Sequence, residues 1–184
     1  AAGARPCRAG RRWLFDLLMR AAKTLLIVYH SLTGGTRQMA EAARAGAAGE
    51  AACAVRLLHA AQAGPHDVLA ADGYVFATPE NLAAMSGQLK DFFDRSYYAV
   101  LDQVNGRPYA SLVCAGSDGS NAARQIARIA TGWRLKAVAE PLIVCTHAQT
   151  PEAILAPKQI GDDDLAHCRA LGEALATGLV LGVY

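Results

Sequence analysis

Apolar positions in this chain fall into short unbroken runs, with stretches of helical spacing between them. Thr24-Leu25-Leu26-Ile27-Val28-Tyr29 is continuous and rich in β-branched residues, which predicts a strand buried on both faces. A glycine-bearing turn follows, then a helical stretch over Arg37–Ala47 carrying Met39, Ala40 and Ala43. Ala54–Leu58 reads as a weaker strand, polar at Arg56 and so placed at a sheet edge, and Gly73–Thr78 as a third strand. Ser86 is the N-cap of a helix with Leu89, Phe92, Phe93 and Tyr97 on one face. Ala110–Ala115 gives a fourth strand, Asn121–Ala130 a helix with Ile126 and Ile129 inward, and Leu142–Cys145 a fifth strand. A last helix begins after Asp162-Asp163-Asp164, acids that the helix dipole favours at that end, and repeats Leu165, Cys168, Leu171, Leu175 and Leu179.

Strands that alternate with helices demand right-handed crossovers and a parallel sheet covered on both faces. Neither an internal repeat nor a linker divides the chain, so residues 19–184 are expected to form one α/β domain. The length of 184 residues allows a full core without metal or disulfide staples, and 53% hydrophobic residues against 18% charged excludes disorder as the main state. No apolar stretch is long enough for a spanning helix, so membrane insertion is not expected.

Net charge is only +2, too small a basic excess for a nucleic-acid binder. Even that has a local origin: residues 1–18 hold Arg5, Arg8, Arg11 and Arg12 against Asp16, and the rest of the chain balances at −1. This extension reads as upstream sequence, a short extra helix or an organelle transit peptide, with a compact strand-first domain beginning at Met19. Cys7, Cys53, Cys114, Cys145 and Cys168 are odd in number and never spaced as a metal knuckle, a usage that suits a reducing cytoplasm.

In open α/β sheets ligands bind beyond the carboxyl ends of the strands, which directs attention to three loops. Ser31-Leu32-Thr33-Gly34-Gly35-Thr36 offers three hydroxyls and two glycines and runs straight into a helix. Hydroxyl donors, close backbone approach and a helix N-terminus together make an anion site, one able to hold a phosphomonoester without a lysine. The Walker and dinucleotide glycine patterns are both absent. The second loop, Thr78-Pro79-Glu80-Asn81-Leu82, has a proline-fixed turn that leaves backbone N–H groups for the heteroatoms of a planar ligand; an ordinary turn explains it equally well. The third, Gly116-Ser117-Asp118-Gly119, admits two readings: a third rim loop, or a near-miss of a nucleophile elbow with Ser117 served by His147 or His167.

With those motifs in view, the first loop resembles the [ST]-x-T-G-x-T phosphate loop of flavodoxin-like proteins. Ala77–Arg95 resembles the second flavin loop of the flavodoxin-like NAD(P)H-dependent FMN reductases and their quinone-reductase relatives. The resemblance spans about residues 23–180 and implies a flavodoxin-like three-layer sandwich, its five-stranded parallel sheet in the order 2-1-3-4-5. It implies non-covalent FMN, with Ser31, Leu32, Thr33, Gly34, Gly35 and Thr36 on the phosphate. Thr78, Pro79, Glu80, Asn81 and Leu82 would face the isoalloxazine, and Gly116, Ser117, Asp118 and Gly119 its rim.

The near-neutral body departs from the strong acidity of electron-carrier flavodoxins, and no aromatic residue stands in the third loop to shield a flavin. An open flavin face suits a stacked nicotinamide. The resemblance therefore implies NAD(P)H as co-substrate, a quinone or similar small-molecule electron acceptor, and a homo-oligomer that completes the pocket. The cofactor carries such chemistry, so no side chain is named as catalytic acid or base. The competing readings are an electron-transfer flavodoxin, a Ser117 hydrolase and a flavin-binding module without turnover.

Overall fold

The computed structural model describes residues 23–184. The expected extension at 1–18 and the expected domain start at Met19 lie outside the described residues. The elements run β1 (Lys23–Tyr29), α1 (Gly35–Ala47), β2 (Cys53–His59), α2 (Pro65–Ala70), β3 (Gly73–Asn81), β4 (Ala84–Met85) and α3 (Gly87–Val100), followed by β5 (Pro108–Ala115), α4 (Ser120–Gly132), β6 (Lys136–Ala137), β7 (Leu142–Cys145), α5 (Pro151–Leu155) and α6 (Asp162–Leu181).

The sheet is ordered β2-β1-β3-β5, all parallel, with β6 and β7 sharing the remaining edge of β5. β6 pairs with Pro108 and Tyr109, and β7 with Leu112 to Ala115, so the two occupy one fifth position interrupted between them. Pro141 lies in that gap and has no N–H to offer a ladder. The five-position order anticipated from the sequence is present, but the sheet is built from seven segments rather than five. The added piece is β4, which folds back antiparallel on the end of β3 by pairing Glu80 with Met85 and Asn81 with Ala84.

The strands divide the core into two layers because alternate side chains point to opposite faces. Leu25 and Ile27 of β1 and Val75 of β3 meet α1 and α6, while Leu26, Val28, Tyr74 and Phe76 meet α2, α3 and α4. Phe76 centres the second layer, with the ring of Phe93 at 4.9 Å and that of Trp133 at 6.2 Å. Burying a side chain of this class stabilises the fold by about 1.5–3 kcal/mol. The first layer is closed by backbone proximity: a Cβ on Gly172 of α6 would stand 1.9 Å from the Ala43 carbonyl of α1.

Cys53, Cys114, Cys145 and Cys168 are free thiols. Burial, aided by Asp164, pushes the Cys168 thiol up to about 12, as inert as its place between α6 and the sheet implies. Among the described residues no helix is long and apolar enough to cross a membrane, and no side-chain cluster has the makings of a metal site.

Candidate functional site

Beyond Tyr29 the chain leaves the sheet through Ser31 and tightens into a turn that starts α1. The N–H of Gly34 donates to Ser31 Oγ at 3.1 Å, which leaves the hydroxyl proton of Ser31 to point elsewhere. Gly34 is the N-cap of α1 at φ 90, a left-handed conformation that glycine adopts without a Cβ clash. The first backbone bond of the helix runs from Gln38 N–H to Gly34 C=O, so the N–H groups of Gly35, Thr36 and Arg37 precede the ladder. Thr36 is 1% exposed, and its Oγ1 is buried with no hydrogen-bond partner. Its polar neighbour is the thiol of Cys114, at best a weak partner, and burial pushes that thiol up despite Lys158 nearby.

The second and third loops are one assembly. β3 continues through Pro79 and Glu80 to Asn81, then turns at Leu82 and Ala83, both left-handed (φ 51 and 58), into β4. This two-residue hairpin turn normally takes Asn-Gly, and holding non-glycine residues there costs about 1 kcal/mol or more each. Helix α4 offsets the cost by gripping the hairpin: Asn121 Nδ2 donates to Ala83 C=O at 2.6 Å, and Met85 N–H donates to Gln125 Oε1 at 2.9 Å. Glu80 reaches the same helix start, where its Oε2 accepts the N–H of Gly119 at 3.0 Å, while its Oε1 is buried without a partner. Thr78 stays beneath, fully buried, its Oγ1 accepting the N–H of Ser86 at the cap of α3.

A fourth segment closes the site. Residues 146–161 cross the end of the sheet as a strap containing α5. His147 N–H donates to Gly116 C=O at 2.7 Å, and Lys158 N–H to Thr33 C=O at 2.8 Å. Gln38 clasps the strap: its Nε2 donates to Lys158 C=O at 2.7 Å and its Oε1 accepts from Ile160 N–H at 3.2 Å. The Lys158 ammonium is occupied by the carbonyls of Ala153, Ile154 and Ala156 at the end of α5.

These segments enclose a cleft of about 80 Å3. Of the residues singled out in the sequence, Ser31, Leu32, Thr33 and Thr36 line it from the first loop, Pro79, Glu80 and Asn81 from the second, and Gly116 from the third. Gly34 shapes the turn, and Gly35 packs down so closely that a Cβ there would lie 2.6 Å from Cys114 Sγ. Gly119 serves the cleft through its bond to Glu80, and Thr78 through Ser86. Leu82 stands fully exposed at the hairpin tip, and Ser117 and Asp118 are exposed beside α4, outside the lining. Among the described residues Ser117 makes no hydrogen bond with a histidine, so the nucleophile elbow has no base.

Six lining residues carry no mark in the sequence pattern: Cys114 and Ala115 at the end of β5, and Thr146, Ala148, Ile154 and Lys158 of the strap. The glycine-free run from Thr146 to Lys158, with Pro151 after Thr150 as a helix start, was the available signal for an ordered strap. His30, just before the first loop, is buried and packs edge-on to His59 at 5.5 Å. Burial, with His59 alongside, lowers its pKa from the ordinary value.

The fold matches that of an archaeal flavodoxin, with a TM-score of 0.69 and 19% identity over 85% of this chain and 98% of that one. In sequence, the chain is 33% identical over 95 residues to a flavodoxin of Aquifex aeolicus, covering 52% of this chain and 51% of the relative. It is 32% identical over 92 residues to an NAD(P)H dehydrogenase (quinone) of Acidithiobacillus ferrooxidans, 39% of this chain and 46% of the relative. It thus spans about half the length of the curated relatives it matches. Residues 57–149, which include the hairpin, the start of α4 and the beginning of the strap, match the model of the NADPH-dependent FMN reductases, and the chain belongs to that family.

Proposed function

We propose that this protein is an FMN-dependent oxidoreductase that takes hydride from NAD(P)H and passes electrons to a quinone or similar small acceptor. The observation that carries the reading is the buried, partnerless hydroxyl of Thr36 beside the N–H groups that open α1. A buried hydroxyl without a partner costs about 1–3 kcal/mol, and a phosphate oxygen in the turn relieves that cost. Ser31 contributes its free O–H and Thr33 a second hydroxyl, and the start of α1 adds the favourable end of the helix dipole. Lys158, already held by three carbonyls, leaves recognition to neutral donors.

A cleft of about 80 Å3 takes a phosphate-sized group, and a larger ring system belongs in the mouth between the hairpin and Gly116. Bound FMN would supply the hydride-accepting flavin. The chain's part is to fix its position: Glu80, locked to Gly119 and with one acceptor oxygen unused, and Asn81, a donor and acceptor, stand at that mouth. Exposed Leu32 and Ile154 line it, an apolar margin suited to an uncharged acceptor and unlike the acidic surface that steers a protein redox partner.

The test is a titration of the apoprotein with FMN and with riboflavin, followed by anaerobic addition of NAD(P)H and then a quinone. Tight FMN binding, much weaker riboflavin binding and quinone-dependent nucleotide oxidation support the reading. FMN binding with slow turnover on every acceptor would favour an electron carrier, and failure to bind FMN at millimolar concentration would remove the flavin reading altogether.

A further inference from the structure

On the far side of the hairpin from the cleft, α3 and α4 leave between them an open groove of about 470 Å3, within the range of small-molecule sites. Its floor is apolar, formed by Ala84 and Met85 of β4 with Ile129 of α4. Its rim is cationic. Arg124 and Arg128 stand on one face of α4, one helical turn apart, and both are exposed. Among the described residues neither forms a salt bridge or a side-chain hydrogen bond, whereas Lys90 across the groove is already paired with Asp94. Asn121 and Gln125, the neutral polar residues of the rim, are committed to the hairpin backbone. An apolar floor beneath two uncommitted guanidiniums suits a flat ring carrying phosphate.

The hairpin ties this groove to the cleft. Glu80 and Asn81 of β3 line the cleft, and their partners Met85 and Ala84 of β4 line the groove. The two walls are therefore one strand spacing apart, about 4.8 Å. We propose that the groove binds the phosphorylated adenosine end of the nicotinamide dinucleotide, with Arg128 on the 2′-phosphate, and so selects NADPH over NADH. This rests on the nicotinamide reading given above. Helix α4 starts at the cleft and runs away from it, so Arg124 is the nearer guanidinium and meets the pyrophosphate common to both nucleotides. Arg128, one turn farther out, meets the group that only NADPH carries. Paired with phosphate, a guanidinium makes bidentate charge-assisted bonds that lysine does not reproduce.

The experiment uses the FMN-loaded full chain and its Arg124→Ala, Arg128→Ala and Gly87→Leu variants. A Cβ at Gly87 meets nothing within 4 Å, so leucine there narrows the groove without crowding the fold. Arg128→Ala should raise KM for NADPH about tenfold and leave KM for NADH and kcat unchanged. Arg124→Ala should raise both KM values, and Gly87→Leu should do so with FMN affinity unaltered. Equal effects of Arg128→Ala on the two nucleotides, or none on either, overturn the proposal while the reductase reading stands. If the wild-type chain oxidises neither nucleotide, the reductase reading fails and titration with adenosine 2′,5′-bisphosphate decides the groove. Binding weakened about tenfold by Arg128→Ala supports the site, and no binding to wild type overturns it.

Discussion

Glu80 Oε2 accepts the N–H of Gly119 at 3.0 Å, a bond between residues 39 positions apart that carries the end of β3 to the start of α4. Two loops that the sequence presents separately thereby become one wall. The bond is charge-assisted and partly buried, and such bonds contribute about 1.5–3 kcal/mol. Glu80→Ala should lower stability by about 1–2 kcal/mol, since the freed N–H regains some water. Glu80→Gln keeps an acceptor oxygen at the same place and should recover half or more of the loss. Urea unfolding of the apoprotein reads both, and an equal loss in the two variants would mean that the wall is held by Asn121 and Gln125 alone.

Thr36→Val separates the two roles of the first loop by sign. In the apoprotein the hydroxyl is buried and partnerless, so its replacement by a methyl group of the same shape should be neutral or stabilising by up to about 1 kcal/mol. With FMN the same substitution removes a bond to a charged group and should weaken binding by about 1.5–3 kcal/mol, or 10- to 150-fold. Thr33→Val should weaken FMN similarly. Fluorescence titration beside thermal unfolding checks the pair, and unchanged affinity in both variants would place the phosphate elsewhere.

Much of the scaffold was legible because its signals are local. The run from Thr24 to Tyr29 spells a strand buried on both faces, and Ser86 caps α3 with its Oγ accepting the N–H of Leu89, three residues on. The glycine turn of the first loop and its hydroxyls were legible for the same reason. The hairpin was harder to read, because Leu82 and Ala83 are poor residues for left-handed turns and hold that geometry with the support of Asn121 and Gln125, distant in sequence. Helix α2 carried a signal that composition masks: Pro65 at its first turn and Asp67 Oδ2 accepting the N–H of Gly64 at 2.9 Å. The strap depends on Gln38 reaching residues 158 and 160, a pairing of distant positions that no periodicity reports.

Gly35 tests how tightly the first loop is seated. An alanine Cβ there would stand 2.6 Å from Cys114 Sγ, with Lys158 Cβ next at 3.3 Å. Gly35→Ala should therefore lift the turn from β5, destabilise the fold by about 1–3 kcal/mol and weaken FMN binding. Cys114→Ala removes the sulfur, so the double variant should be less unstable than the sum of the two singles. A double-mutant cycle by urea unfolding measures the coupling. Strict additivity would show that the loop accommodates the methyl group by another route.

His30 gives the fold a pH dependence. Burial lowers its pKa in the folded state, so the unfolded chain takes up a proton more readily between that lowered value and the ordinary 6.5. The stability tied to the neutral ring is complete above about pH 6.5 and is lost as pH falls towards the folded value. The groups around the ring reinforce this: His59 lies edge-on at 5.5 Å, and Nδ1 has no acceptor to stabilise the charged form. His30→Leu should flatten the fall in melting temperature between pH 7.5 and 5.5, at the cost of some packing against His59. An unchanged slope would assign the acid sensitivity to other groups.

Gln38 is the last and most economical test of the strap. Its side chain bonds to Gly34 C=O at 3.1 Å, Lys158 C=O at 2.7 Å and Ile160 N–H at 3.2 Å, joining the turn of the first loop to residues 158–160. Leucine fills similar space and makes none of these bonds. In such a variant Lys158 N–H still donates to Thr33 C=O and His147 N–H to Gly116 C=O, so the strap keeps its start and only one of the three bonds that hold its far end to the first loop and α1. Gln38→Leu should therefore leave the sheet intact, speed proteolytic cleavage within residues 149–157 and raise the dissociation rate of FMN. The association rate should change less, because the turn and its donors remain in place. Stopped-flow release of FMN, read beside limited proteolysis, distinguishes this from general unfolding. Faster cleavage with unaltered FMN release would show that the strap covers the cleft without retaining what binds in it.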